Sequence, residues 1–450
     1  MSEATIFGTD GIRGRAGEGW LAPESVSALG HSIGSILGRR KGSKRVLLGH
    51  DGRRSASSLS QAITRGFAAA GFTTTTAGLI PTPGLAVLTR LHDFQVGVMV
   101  SASHNPADDN GIKVFSSDGG KLSDELEVRI EKHLRRHPEA VEEGPLPERN
   151  IDLEMDYLVH LLERAGSELK RDGMSLVLDC ANGAGSRIAP RAFGRLGAQV
   201  LTLAAEPDGD NINKECGSTH MIPLQRKVRS GGARLGIALD GDGDRCLLVD
   251  EKGDVVNGDA IMALLAHDMV ANGRMRRRSI VATVMSNRGL HRALREVDVD
   301  VVTVGVGDRQ VVDRLRADRL CLGGEQSGHI IFGEDNFFIG DGTLTALRVL
   351  CVMVKTGKPL SELASIYRPY PQVLLNTEVC RKPRLEELPR VAASVRQIEE
   401  ALGEDGRVLL RYSGTEPLAR IMVEGPDREV ILAQARELMS LIEEEIGVKA

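Results

Sequence analysis

Short apolar runs alternate along the chain with longer segments in which apolar residues recur at helical spacing. The first kind predicts buried strands over 45–49, 96–100, 175–179, 279–284 and 300–304. The second kind predicts helices over 55–70, 153–164, 287–296 and 428–446. Because strands that alternate with helices are typical of parallel sheets covered by helices, we expect an α/β fold.

Two proline-containing stretches interrupt this alternation. The charged segment 137–149 and the stretch YRPYPQ at 367–372 both predict boundaries, and the second is typical of a linker. We therefore expect three α/β domains and a smaller α+β domain at the C-terminal end, as the length of 450 residues allows. The predicted domains are 1–150, 151–254, 255–368 and 369–450.

Charge and composition exclude several classes of protein. The chain carries 57 Lys and Arg against 62 Asp and Glu, a net charge of −5, and only 3% aromatic residues, so we expect no nucleic-acid partner. With no signal-peptide pattern and no apolar run near the ~18 residues of a membrane helix, we expect no membrane partner and a cytoplasmic location. The six cysteines show no CxxC pair, which argues against a zinc site or a disulfide framework.

A Ser-Ala-Ser-His-Asn-Pro turn at 101–106 directly follows the strand predicted over 96–100. The hydroxyl of Ser103 stands beside a titratable neighbour, His104, as a nucleophile or a phosphorylated serine requires. A serine turn ended by Pro106 explains the same residues without any chemistry.

An acidic loop, Asp240-Gly-Asp-Gly-Asp-Arg, lies between two apolar runs. Alternate residues of an extended loop face one side, so the carboxylates of Asp240, Asp242 and Asp244 converge and suit Mg²⁺. A calcium EF-hand would also use Glu251, but it needs Gly where Arg245 stands and helices where strands are predicted. A solvated acidic turn is the remaining alternative.

Two further polar loops follow apolar runs near 320 and 408. The stretch 323–329 offers closely spaced donors and acceptors for sugar hydroxyls, although an ordinary polar turn would have the same composition. The stretch 411–417 combines Arg, Ser, Gly and Thr as a phosphate site does, although a hairpin with a surface arginine fits too. Together the four loops predict phosphoryl transfer on a phosphorylated polyol.

The motifs, in this order along the chain, resemble those of the α-D-phosphohexomutase superfamily. They are FGTDGIRG at 7–14, SASHNP at 101–106, NGIK at 110–113, DGDGDR at 240–245, GEQSGH at 324–329 and RYSGTEP at 411–417. Gln326 and the CGSTH segment at 216–220 favour the branch that acts on glucosamine phosphates. Two places depart from the family pattern: Gln310, where an aromatic residue is common, and the apolar segment 333–339.

The resemblance implies three similar α/β domains around a cleft, a smaller C-terminal domain and a homodimer. It implies that Ser103 is the phosphoserine and that its phosphate holds Mg²⁺ together with Asp240, Asp242 and Asp244. The groups around the transferring phosphoryl would be Arg13, His104, Lys113 and Arg245. The substrate would be bound by Glu325, Ser327, His329, Arg411, Ser413, Gly414, Thr415 and Arg420.

The implied reaction interconverts the 6- and 1-phosphates of glucosamine through a sugar 1,6-bisphosphate, with catalytic hexose 1,6-bisphosphate as activator and a sugar phosphate as the ligand. The product would supply UDP-N-acetylglucosamine and cell-wall synthesis. Two alternatives stay open: a mutase for glucose or mannose phosphates and a Mg²⁺-dependent phosphohydrolase. A sugar-phosphate-binding regulator without turnover is a third, but the intact set Ser103, Lys113, Asp240, Asp242 and Asp244 argues against it.

Overall fold

The computed structural model describes residues 6–8, 10–39, 42–166, 173–384, 387–413 and 417–448. It consists of two compact units. The larger contains residues 1–285 and 297–366, and the smaller contains residues 286–296 and 367–450. No helix among the described residues is both long enough and apolar enough to cross a membrane.

Helices separate most strands of the chain, as the sequence pattern predicts. In chain order they are α1 (Pro23–Leu37), α2 (Ala56–Ala69), α3 (Thr82–Leu91), α4 (Asp124–Arg136), α5 (Asp152–Ala165), α6 (Gly185–Arg195), α7 (Ile222–Gly231), α8 (Gly258–Ala271), α9 (Arg288–Arg295), α10 (Asp308–Asp318), α11 (Gly342–Thr356), α12 (Leu360–Ala364), α13 (Pro389–Leu402) and α14 (Arg428–Ile446).

The first sheet of the larger unit is built from β1 (Ile12–Arg15), β2 (Arg45–His50), β3 (Thr73–Leu79), β4 (Val96–Val100), β5 (Asp109–Ser116) and β6 (Glu148–Arg149). Its strand order is β1-β5-β4-β2-β3-β6. The pairs among β2, β3, β4 and β6 are parallel, whereas β5 runs antiparallel to both β4 and β1. Apolar residues of α1, α2 and α4 pack on one face of this sheet and form its core.

Two smaller mixed sheets complete the larger unit. The second contains β7 (Ser175–Asp179), β8 (Gln199–Leu203), β9 (Leu235–Leu239), β10 (Cys246–Val249) and β11 (Val255–Val256), in the order β11-β10-β9-β7-β8. The third contains β12 (Ser279–Thr283), β13 (Asp300–Val304), β14 (Leu322–Gly324) and β15 (Ile330–Phe332), in the order β13-β12-β14-β15. The α/β prediction is confirmed.

The smaller unit has an antiparallel sheet with the order β16-β18-β17, from β16 (Gln372–Glu378), β17 (Arg407–Tyr412) and β18 (Leu418–Glu424). Helix α14 packs against this sheet. Helix α9 belongs to this unit as well, because the Asn287 carboxamide that precedes it bonds both the N–H and the C=O of Tyr370, at 2.8 and 3.0 Å.

Loops that carry the candidate chemistry follow β4, β9 and β14. Every residue of β4 and of β9 is buried, which explains their uninterrupted apolar sequences. At the ends of such strands the chain leaves the sheet, and polar side chains collect there.

Candidate active site

Ser103 lies in the turn that follows β4, with 1% of its surface exposed and a φ of +53°. Its Oγ donates a 2.6 Å hydrogen bond to Oδ2 of Asp240, on the loop after β9. The Nδ1 atom of His104 lies 3.4 Å from the same Oγ. The structure thus brings the candidate phosphoserine against the acidic loop, 137 residues further along the chain.

The acidic loop places one carboxylate oxygen each of Asp240, Asp242 and Asp244 within 4.8 Å of one another. All three residues are buried, and the Oδ1 atoms of Asp242 and Asp244 have no hydrogen-bond partner among the described residues. Buried carboxylates repel one another, and burial followed by the charges of Asp244 and Asp242 raises the pKa of Asp240 well above its usual value. Unpartnered acceptor oxygens at this spacing can hold a metal ion.

Lys113, on β5, supplies the nearest positive charge. Its Nζ lies 2.8 Å from Oδ2 of Asp242, 2.8 Å from Oδ2 of Asp10 and 3.8 Å from Oδ2 of Asp244. Burial by itself would lower the pKa of this ammonium, but Asp10 and the two loop carboxylates raise it well above its usual value. Lys113 is therefore a fixed cation beside the triad.

Arg13 and Arg245 add two guanidinium groups to the site. Arg13 pairs with Asp10, and the Nε of Arg245 lies 3.8 Å from Oδ1 of Asp244. Burial, reinforced by Arg245 and Arg13, lowers the pKa of His104, so its imidazole is neutral near pH 7 and can accept a proton.

Two of the three predicted sugar-binding residues on the loop after β14 lie close to Arg13 and Arg245. Glu325 and His329 line a cavity of about 410 Å³ together with Arg13 and Arg245. The Nδ1 of His329 lies 3.6 Å from Oδ2 of Asp244. Ser327 is exposed and is not among the residues that line this cavity.

The predicted phosphate loop belongs to the smaller unit. Arg411 on β17 and Arg420 on β18 are directly paired across the antiparallel ladder, which puts both residues on one face of the sheet. The N–H of Ser413 donates a 2.8 Å hydrogen bond to the carbonyl of Leu418. Gly414 and Thr415 lie outside the described residues.

The chain matches the domains of one enzyme family along almost its whole length. Models of the phosphoglucomutase/phosphomannomutase alpha/beta/alpha domains I, II and III match residues 4–140, 155–253 and 257–370, and the model of the C-terminal domain matches 374–441. The predicted four-domain architecture is confirmed.

Curated relatives indicate the branch of this enzyme family to which the chain belongs. The phosphoglucosamine mutase of Myxococcus xanthus is 44% identical and covers 98% of this chain and of its own length. The phosphoglucosamine mutase of Mycolicibacterium gilvum is 46% identical over 95% of this chain and 96% of its own length. The chain belongs to the phosphoglucosamine mutase family. The resemblance read from the motifs is thereby confirmed.

Solved structures show that the fold of this phosphoglucosamine mutase family member is shared by distant proteins. A phosphoglucomutase/phosphomannomutase family protein from Burkholderia thailandensis superposes with a TM-score of 0.83 at 23% identity, over 99% of this chain and 98% of the other. An Aspergillus fumigatus N-acetylphosphoglucosamine mutase, solved with GlcNAc-6P and magnesium, has a TM-score of 0.64 at 18% identity, over 97% and 95% of the two chains.

Four further residues contact the active site but were not predicted as site residues from the sequence. They are Asp10, Arg53, Thr82 and Lys121. Thr82, the first residue of α3, donates its hydroxyl proton to Oδ2 of Asp242. The Nζ of Lys121 bridges Asp10 and Asp308, at 2.6 and 2.7 Å. Arg53 lies in a polar turn directly after β2, so the pattern that placed the other candidate loops after strands could have predicted it. Thr82 follows the apolar residues Ile80 and Pro81 and carries no such signal.

Proposed function

We propose that this chain interconverts glucosamine 6-phosphate and glucosamine 1-phosphate through a phosphoserine at position 103 and a sugar 1,6-bisphosphate. The observation that carries the proposal is the 2.6 Å contact between the Ser103 hydroxyl and the acidic triad. Membership of the phosphoglucosamine mutase family supports the choice of sugar.

Asp240, Asp242 and Asp244 fit a magnesium ion, since two of their buried oxygens have no hydrogen-bond partner among the described residues. A magnesium ion held by these carboxylates and the Ser103 phosphate would neutralise charge on the phosphoryl group being transferred. Arg13, Lys113 and Arg245 add fixed positive charge to the same place.

The reaction needs the phosphoryl group to pass between Ser103 and a sugar hydroxyl. The bond from phosphorus to the Ser103 Oγ breaks as a bond to the sugar oxygen forms, and the hydroxyl proton passes to a base. His104, whose Nδ1 lies 3.4 Å from the Ser103 Oγ and whose imidazole is neutral near pH 7, is placed to accept that proton. After the bisphosphate turns around, its other phosphoryl group returns to Ser103.

Two loops would recognise the substrate, one by its sugar hydroxyls and the other by its phosphate. Glu325, Ser327 and His329 would bind sugar hydroxyls through their acceptors and donors. The phosphate that is not transferred would be held by a set with anion-binding chemistry: Arg411, Ser413, Gly414, Thr415 and Arg420. The domain boundaries, the homodimer and the cytoplasmic location expected from the sequence stay predictions.

Turnover followed by phosphorus NMR tests the proposal. The purified chain receives Mg²⁺, catalytic hexose 1,6-bisphosphate and, in parallel, glucosamine, glucose or mannose 6-phosphate. We expect the 1-phosphate of glucosamine to form fastest. We expect Ser103→Ala to be inactive and Ser117→Ala, at an exposed serine of a loop, to match the unchanged chain.

Each competing function predicts a different result. Faster conversion of glucose or mannose phosphate would keep the mechanism and overturn the assignment of the sugar. Inorganic phosphate in place of an isomer would identify a phosphohydrolase. Binding of the sugar phosphate without either product would indicate a regulator.

A further inference from the structure

Arg53 is the largest of the side chains buried almost completely, and its guanidinium is 0% exposed. It lies in the turn DGRRS at 51–55, directly after β2, and is not part of a predicted substrate-binding loop. Its Nε donates a 2.8 Å hydrogen bond to Oδ2 of Asp51, which balances the buried charge.

The remaining four N–H groups of Arg53 all point into the turn that carries Ser103. Nη2 donates to the carbonyls of Ser103 and Asn105, each at 2.9 Å. Nη1 donates to the carbonyl of Asp109 at 2.9 Å and to that of Pro106. All five donors of one guanidinium are therefore used, four of them on main-chain carbonyls of the segment 103–109.

Asp51 extends the hydrogen-bond network of Arg53 to the N–H of Ser103. Its Oδ2 accepts a 2.6 Å hydrogen bond from the Ser101 hydroxyl, and the oxygen of that hydroxyl accepts the Ser103 N–H at 2.9 Å. Both peptide groups of Ser103 are thus connected to the Arg53–Asp51 pair, its C=O directly and its N–H through Ser101.

This attachment matters because Ser103 has a φ of +53°, a conformation that a residue with a side chain adopts only when its surroundings impose it. In that conformation the Oγ points at Asp240. If the peptide groups were released, the turn could relax to negative φ and the Oγ would move away from the acidic triad.

We propose that Arg53 is a positioning residue for phosphoryl transfer: it holds the backbone of Ser103 so that the Oγ faces the acidic triad. The inference rests on the proposed function of Ser103. Arg53 acts through that serine and has no assigned contact with the sugar.

Arg53→Lys tests the inference, because lysine keeps the positive charge beside Asp51 but offers three donors in place of five. We expect kcat to fall about 100-fold, the loss associated with a misplacement of about 1 Å, while KM for glucosamine 6-phosphate changes less than ~3-fold. Phosphoryl uptake by Ser103 from hexose 1,6-bisphosphate, measured by intact-protein mass, is expected to slow equally.

The adjacent Arg54 provides a matched control. It is 75% exposed and forms an ion pair with Asp210. We expect Arg54→Lys to leave kcat within ~2-fold of the unchanged chain. An unchanged kcat in folded Arg53→Lys, or a loss confined to KM, would overturn the inference.

Ser101→Ala keeps the inference testable if Arg53→Lys does not fold. It removes only the hydroxyl that joins Asp51 to the Ser103 N–H, and we expect a fall in kcat of about 10-fold with KM unchanged. Full activity of Ser101→Ala would then overturn the inference that this hydrogen-bond network positions Ser103. If the unchanged chain shows no mutase turnover, the proposed function fails, and the inference fails with it. If that chain is active and the variants equal it, the inference alone fails.

Discussion

Asp341, the residue before α11, allows a prediction about stability whose sign changes with pH. Its carboxylate is fully buried, accepts a 2.9 Å hydrogen bond from the Leu344 N–H and a 2.7 Å hydrogen bond from the Tyr157 hydroxyl. Burial nevertheless raises its pKa from 3.8 to about 6. The folded chain therefore binds the Asp341 proton more tightly than the unfolded chain does.

The magnitude follows from that difference. At 1.36 kcal/mol per pH unit, ionised Asp341 reduces the free energy of unfolding by about 3 kcal/mol above pH 6. The penalty shrinks as pH falls from 6 to 4, because the folded chain becomes protonated there first. Asp341→Asn removes the charge but leaves one of the two hydrogen bonds without a suitable partner, which costs about 1 kcal/mol.

We therefore expect Asp341→Asn to stabilise the chain by about 2 kcal/mol at pH 8 and to destabilise it slightly near pH 4. Urea unfolding followed by circular dichroism from pH 4 to pH 8, with the unchanged chain beside it, measures the difference. Tyr157→Phe serves as a second arm and is expected to destabilise most at pH 8, where the hydroxyl bonds a charged carboxylate. A difference for Asp341→Asn that does not change with pH would refute the reasoning.

Other predictions concern the metal, the ionic network and the smaller unit. Thr82→Val removes the hydroxyl that donates a hydrogen bond to Asp242. It should raise the Mg²⁺ concentration for half-maximal turnover about 10-fold, and Thr82→Ser, which keeps a hydroxyl, should leave that concentration unchanged. Lys121→Met should lower the unfolding free energy by about 2 kcal/mol in urea, because it leaves the carboxylates of Asp10 and Asp308 without their shared cation. Burial and nearby arginines lower the pKa of His291 to about 4, so the smaller unit should lose stability as pH falls from 6.5 to 4, and His291→Gln should flatten that loss in thermal unfolding.

Much of the fold could be predicted from local pattern. The strands predicted over 96–100, 175–179 and 300–304 and the helix over 428–446 have those bounds in the structure. They are apolar or strongly periodic, and for such segments burial and periodicity indicate the same element. Helices predicted over 55–70 and 287–296 begin and end within one residue of α2 and α9.

The candidate site was predictable where its chemistry lies close together in the sequence. The three carboxylates on alternate residues lie within the six-residue motif DGDGDR, and the serine beside a histidine lies within the six-residue motif SASHNP. The ion pairs of Lys113 could not be predicted, because its partners Asp10 and Asp242 lie on other segments of the chain.

The sequence by itself determined the α/β alternation, the loops that bear polar residues and the chemical character of each loop, since all of these depend on neighbours within a few positions. Only the tertiary structure decided that Arg53 is buried. Its four main-chain acceptors lie 50 to 56 residues away, and a buried arginine is stable only where such acceptors and a carboxylate converge on it. The tertiary structure likewise decided which carboxylate faces Ser103, because that contact joins loops of two different sheets.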